Sequence, residues 1–253
     1  MWLKLLKTFV AIRATRPLVL GQRCVDGKSN EITAVPELLD QLALQNSIVT
    51  LDAMGCQTAI AEKILARGGD YVLTLKGNHP LAHAAVVKHF DERCFRRGAS
   101  HRADCDAFDD THGRLVRRRV FASTEAAALD ALSGWPGLRT VLAVESIRSV
   151  NSAPKLESEI RYFLSSCPDS PAALGQAIRS HWAVENNLHW VLDVTFREDD
   201  SRVRDRTAAR NLALLRKIAL NIVGRDKTTK ASVRARRKKA AWNDAYMLKL
   251  LAG

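Results

Sequence analysis

Apolar residues take turns as short blocks and as helical stripes along residues 18–97. Leu18–Cys24 (LVLGQRC) is a short apolar run followed by Asp26-Gly27, a turn signal. Thr33 is placed to cap a helix with Pro36 in its first turn, carrying Leu38, Leu39 and Leu42. Ser47–Leu51 (SIVTL) is β-branched and apolar and predicts a buried strand that ends at Asp52. Gln57–Arg67 returns to helical spacing through Ile60, Ile64 and Leu65, then stops at Gly68-Gly69. Tyr71–Leu75 predicts another strand, and Pro80 opens a helix through Val86, Val87 and Phe90. This β-α-β-α-β-α order predicts an α/β layered fold with at least some parallel strands. Ligands of such sheets sit outside the carboxyl ends of the strands. Asp52 closes one, so it is a candidate; the alternative is a turn aspartate bonding its own backbone.

The texture changes over residues 105–166. Gly113–Phe121, Leu138–Val144 and Glu159–Leu164 read as β, separated by an alanine-rich helix (Thr124–Leu132) and a loop (Ser149–Lys155). Arg117 and Arg119 alternate onto one face, suited either to phosphates or to a charge-protected edge strand. A helical pattern resumes at Pro171. It leads into Arg179–Asp200, where His181, Glu185, His189 and Asp193 recur every four residues on one face. Trp182, Val184, Leu188, Trp190, Val191 and Leu192 cover much of the remainder. Such a helix is expected inside the protein with its polar stripe facing a site, because a buried carboxylate is costly unless paired or bound to metal. A core helix with satisfied polar groups fits the spacing too. Val203–Val223 reads as an amphipathic helix with Arg202, Arg206 and Arg210 along its polar side. Residues 225–239 read as a basic, polar linker, and Trp242–Leu251 as a short closing helix.

Charge sharpens this picture. Residues 1–200 hold 24 Lys+Arg against 24 Asp+Glu, whereas residues 201–253 hold 15 against 3, so the whole net charge of +12 lies at that end. Such a stretch attracts polyanions, nucleic acid foremost, unless it is simply a solvated basic face. Arg202, Arg206, Arg210 and Lys217 are the candidate DNA contacts. No run of 18 apolar residues exists, so no membrane partner is expected. Five scattered cysteines without a C-x-x-C pair argue against a disulfide framework or a zinc site, and point to a reducing, cytoplasmic setting. There is no Walker loop, G-x-G-x-x-G, nucleophile elbow or H-E-x-x-H.

Carboxylates grouped without cysteine suit hard cations such as magnesium. Two such ions can activate a nucleophile and stabilise a leaving oxygen in phosphodiester displacement. The motifs add a resemblance. KSNEITAVPELL (28–39), IVTLDAMGCQTAIAEKI (48–64), GGDYVLTLKGNHP (68–80), HGR (112–114) and the long string over 178–223 resemble the DDE transposases of bacterial insertion sequences, in the H-repeat-associated branch. The resemblance implies a ribonuclease-H-like catalytic core carrying a β-rich insertion. It implies an Asp-Asp-Glu triad that binds two divalent ions, Mg2+ or Mn2+, and cuts and rejoins DNA. Asp52 matches the second Asp and Glu185 the Glu, both as catalytic and metal-binding residues, with His181, His189 and Asp193 beside them. The implied segments are 1–104 (first part of the core), 105–166 (insertion), 167–224 (the Glu-helix part of the core) and 225–253 (basic tail). The implied partners are insertion-sequence ends and target DNA, with a homodimer or a full-length transposase as a protein partner.

The resemblance also implies a departure. The family's first Asp lies on a strand before KSNEI, in a segment like I-D-G-K, and residues 1–25 hold no acidic residue. Asp26 belongs to the KSNEI region and does not take that role. The expectation is therefore an N-terminally truncated transposase, lacking its first strand and one carboxylate, with little activity alone. A non-catalytic remnant that grips DNA or another protomer is the alternative.

Overall fold

A computed structural model describes residues 6–7, 10–13, 16–24, 31–96, 102–111, 114–150, 153–184, 188–226 and 228–252. The chain divides into two compact units, one of residues 1–30 and 180–253, the other of residues 31–179. In the first, β1 (Leu6–Lys7) pairs with β4 (Arg23–Cys24), and β2 (Val10–Arg13) pairs with β3 (Arg16–Val19).

The second unit is a mixed α/β layer. It contains α1 (Glu31–Leu39), β5 (Ile48–Leu51), α2 (Thr58–Ala66), β6 (Asp70–Leu75) and α3 (Pro80–Phe90). These are followed by β7 (Cys105–Thr111), β8 (Arg114–Ser123), β9 (Thr140–Val150), β10 (Ala153–Ser165) and the start of α4 (Pro171–Val184). The six strands form one sheet in the order β5-β6-β10-β9-β8-β7. The α/β class is as the periodicity predicts. The pair β5–β6 is parallel, with Leu51 opposite Leu73, and the other pairs in this sheet are antiparallel. The strands of residues 105–165 thus continue the β5–β6 sheet.

The core follows from strand apolarity. Val72, Leu73, Leu142, Val144, Phe163 and Leu164 are buried, as are Ile60 and Ile64 of α2 and Val86 and Phe90 of α3. Leu174 and Ile178 of α4 are buried as well. A Cβ on Gly175 would stand 3.0 Å from Val120 Cγ2, so glycine lets α4 lie close to β8. Gly68 ends α2 at φ +74°, and Gly69 N–H donates to Ile64 O at 3.1 Å.

Several expectations need correction. α1 is already helical at Glu31, so Thr33 does not cap it and Pro36 lies inside it. The alanine-rich stretch is two 3-10 turns, Glu125–Ala128 and Asp130–Leu132. The supposed loop over 149–155 joins a hairpin in which Val150 pairs with Ala153. Arg117 and Arg119 are not open to phosphates. Arg117 Nε donates to Asp106 Oδ1 at 2.9 Å, and Arg119 Nε donates to Glu145 Oε2 at 2.5 Å.

In the first unit α5 (Arg206–Arg225) starts three residues later than the pattern predicts, because Asp205 caps it by accepting from Ala208 N–H at 2.7 Å. Residues 225–239 are no linker: α6 (Val233–Trp242) and α7 (Asp244–Ala252) follow α5. Asn221 fixes β3 on α5, accepting from Val19 N–H at 3.0 Å and donating to Val19 O at 2.7 Å. Val19, Leu188, Leu192, Phe196 and Leu220 form a buried cluster there. No helix among the described residues is long and apolar enough to cross a membrane.

Candidate functional site

Because β5 and β6 run parallel, their carboxyl ends open on one rim. Asp52 leaves β5 there with extended backbone and caps the 3-10 turn Ala53–Gly55, Oδ1 standing 3.4 Å from Gly55 N. The aspartate is exposed, and among the described residues no Lys or Arg nitrogen lies within 4 Å of it. Its carboxylate therefore keeps most of its lone pairs open.

The loop around it is held from β6 and the turn beyond. Thr74 Oγ1 donates to Leu51 O at 3.1 Å, and Asn78 Nδ2 donates to Ala53 O at 2.7 Å. His79 Nε2 lies 2.6 Å from Cys56 O, which makes Nε2 the protonated nitrogen, since a carbonyl only accepts. A Cβ on Gly55 would meet Leu51 Cβ at 2.9 Å, so only glycine fits that turn. Burial pushes the neighbouring Cys56 thiol up to about 12, leaving it protonated and inert. The strings VTLDAMGC and LTLKGNHP are thus joined in space. Asn78 and His79 were not singled out from spacing; the KGNHP string was their only signal.

The second half of the expected site is described less fully. Glu185 lies outside the described residues. His181 is half-buried in the last turn of α4, His189 is exposed, and Asp193 is half-buried. The continuous helical stripe is corrected at its far end. Val191–Thr195 is a π-helical turn closed by Phe196 N–H donating to Val191 O at 3.1 Å. That wider winding shifts Asp193 off the four-residue register. Buried Leu188 and Leu192 face the core, while Trp190 is exposed. Among the described residues no three His, Cys, Asp or Glu side chains group as a metal site.

Of the basic candidates, Arg202, Arg206 and Arg210 are all exposed, the last two one turn apart at the start of α5. Arg202 precedes that helix and lines a cavity of about 550 Å3 with Arg197, Asp199, Asp200, Ser201 and Arg216. Lys217 differs: it is 2% exposed, with Nζ 3.5 Å from Glu198 Oε1. Lying on the core side of α5, it is withdrawn from the expected DNA contacts.

Comparison with known proteins bears on these residues. Residues 2–222 match the family described as "Transposase DDE domain". "H repeat-associated putative transposase YhhI" of Escherichia coli (strain K12) is 39% identical over 249 residues, which is 96% of this chain and 65% of that protein. YbfL of the same strain matches to the same extent. "Putative transposase YncI" of Escherichia coli O157:H7 is 38% identical over 93% of this chain and 60% of its own length. The chain thus spans less than two thirds of these relatives. Among solved structures, the piggyBac transposase synaptic complex with hairpin DNA superposes with a TM-score of 0.41 at 12% identity, over 93% of this chain and 45% of that one. A likeness that small carries no weight for fold or function. The match over residues 2–222 decides the matter: this chain belongs to the transposase DDE domain family.

Proposed function

We propose that the chain supplies Asp52 and Glu185 to metal-dependent DNA strand cleavage and transfer on a ribonuclease-H-like core. The observation that carries this reading is the open Asp52 carboxylate at the shared carboxyl ends of β5 and β6. A hard oxygen donor with no cationic partner suits Mg2+ or Mn2+. A divalent ion held there supplies charge stabilisation to an in-line phosphodiester displacement. The chain's own part is to fix the carboxylate: Thr74, Asn78 and His79 hold the turn that presents it. Arg202, Arg206 and Arg210 are proposed to grip the DNA backbone.

A second reading, in which the chain binds DNA or another protomer without chemistry, is favoured by the 15 Lys+Arg against 3 Asp+Glu over residues 201–253. The test pairs Mn2+ binding with plasmid cleavage for Asp52→Asn and Glu185→Gln. The catalytic reading expects each variant to weaken Mn2+ binding at least about tenfold and to abolish cleavage, with duplex affinity kept. Unchanged Mn2+ binding in both variants would overturn the assignment.

A further inference from the structure

We propose that α6 is a fixed cationic ridge that docks on the phosphate backbone of duplex DNA through Arg234 and Lys238; this rests on the DNA-directed reading above. α6 (VRARRKKAAW) carries Arg234, Arg236, Arg237, Lys238 and Lys239 and no acid. Three of these are engaged by the fold. Arg236 Nη1 donates to Val223 O at 3.1 Å, Arg237 lies 5.3 Å over the Phe196 ring, and Lys239 Nζ lies 4.4 Å over the Tyr246 ring. The other two, Arg234 and Lys238, are four residues apart on one face and exposed. Among the described residues no carboxylate lies within 4 Å of either.

The helix is capped at its start, and the turn before it is tied to α7. Ser232 caps it by accepting from Ala235 N–H at 3.2 Å. Asp226, between α5 and α6, accepts from Tyr246 Oη of α7 at 2.6 Å and from Thr228 N–H and Oγ1 at 2.8 and 2.7 Å. Lys249 Nζ of α7 donates to Thr228 Oγ1 at 3.1 Å, so the three helices are tied at one turn. Cations on a fixed helix lose little backbone freedom on binding, unlike those of a loose basic tail. Arg234 and Lys238 share their face with the exposed Trp242, and α6 holds no Asn or Gln to read a base edge, so the two cations suit backbone phosphates, which position a protein. Their surroundings, with 15 Lys+Arg against 3 Asp+Glu over residues 201–253, draw a dense polyanion.

The test uses the full chain and a labelled duplex of mixed sequence, with affinity measured from about 50 to about 200 mM salt. Two phosphate contacts predict that R234A/K238A lowers the slope of log affinity against log salt by about 2 and weakens binding on the order of tenfold at the lower salt. The charge-preserving R234K/K238R should keep the slope, and both variants should melt as the parent does. A parent chain that binds no duplex overturns the DNA reading and this inference with it. An unchanged slope in R234A/K238A, with the parent binding, overturns only the role of α6. A lowered melting temperature in R234A/K238A would make the two residues structural and overturn it as well. So would a loss confined to vesicles of phosphatidylserine and phosphatidylcholine, with duplex binding intact.

Discussion

Strand β8 and helix α6 are both rich in cations, yet each places its charge differently. On β8, Arg119 stands opposite Glu145 in register and ion-pairs with it. Arg117 reaches diagonally across to Asp106 of β7 and lies 5.3 Å over the Phe108 ring. Cross-strand geometry puts a carboxylate within reach of each arginine. On α6 no acid is available along the helix, so its cations go to a backbone carbonyl, to two aromatic faces, or to solvent. A run of arginines therefore says little about a ligand until the carboxylates its neighbours bring are counted.

The largest effect that sharpens this contrast should come from Arg119→Met. Glu145 is 7% exposed and would keep only Ser158 Oγ, at 3.0 Å, as a partner. Removing one member of a buried pair strands the other charge, and because Arg119 is partly exposed the expected cost is about 2 kcal/mol, below the figure for a fully buried pair. A urea titration reads it as a lowered midpoint. R119M/E145M should recover much of the loss, since the double change also removes the desolvation cost. A single variant as stable as the parent would mean that the pair does not hold β8 to β9.

The same contrast shows what was legible in the sequence. α2 and α3 were, because Gly68 at positive φ and Pro80 at the first helical position act locally. Asp52 was legible as the acid closing a strand. β7 was not: CDAFDDT carries three aspartates and no sustained apolar alternation, and its backbone pairing with β8 is what makes it a strand. The π turn at 191–195 was invisible too, since i→i+5 bonding such as Phe196 N–H to Val191 O sets it and the residues could equally continue an α-helix. α6 carries no apolar stripe, so it read as a linker; its cap and the Asp226 contacts make it a helix. Lys217 was misplaced because a basic residue on an amphipathic helix reads as polar-face, whereas here Glu198 allows it to be buried.

A smaller, pH-dependent effect tests whether α6 is held as described. The Tyr246 hydroxyl first, then Thr228, holds the Asp226 carboxyl well below the usual carboxylate range. A carboxylate depressed in the folded state adds stability above its unfolded pKa, and that stability is lost as pH falls through the folded value. Asp226→Asn should therefore lower the melting temperature of the α5–α7 region at neutral pH, and the gap to the parent should narrow in strong acid. Circular dichroism melts at about pH 7 and about pH 2 read the difference. A gap that stays constant across that range would leave the charge on Asp226 without a part in holding α6.

The smallest effect is expected at Arg117. Its side chain and that of Asp106 are 42% and 34% exposed, and such pairs contribute little to stability. The arginine holds the Asp106 carboxyl below its ordinary value, so the charge on Arg117 is already matched at neutral pH. Arg117→Ala should leave both the melting temperature and the salt slope of duplex binding unchanged. The carboxylate left behind is solvated and near a surface, so nothing buried goes unpaired. A slope that fell as far as in R234A/K238A would erase the distinction between strand and helix, because matched and unmatched arginines would then serve DNA alike.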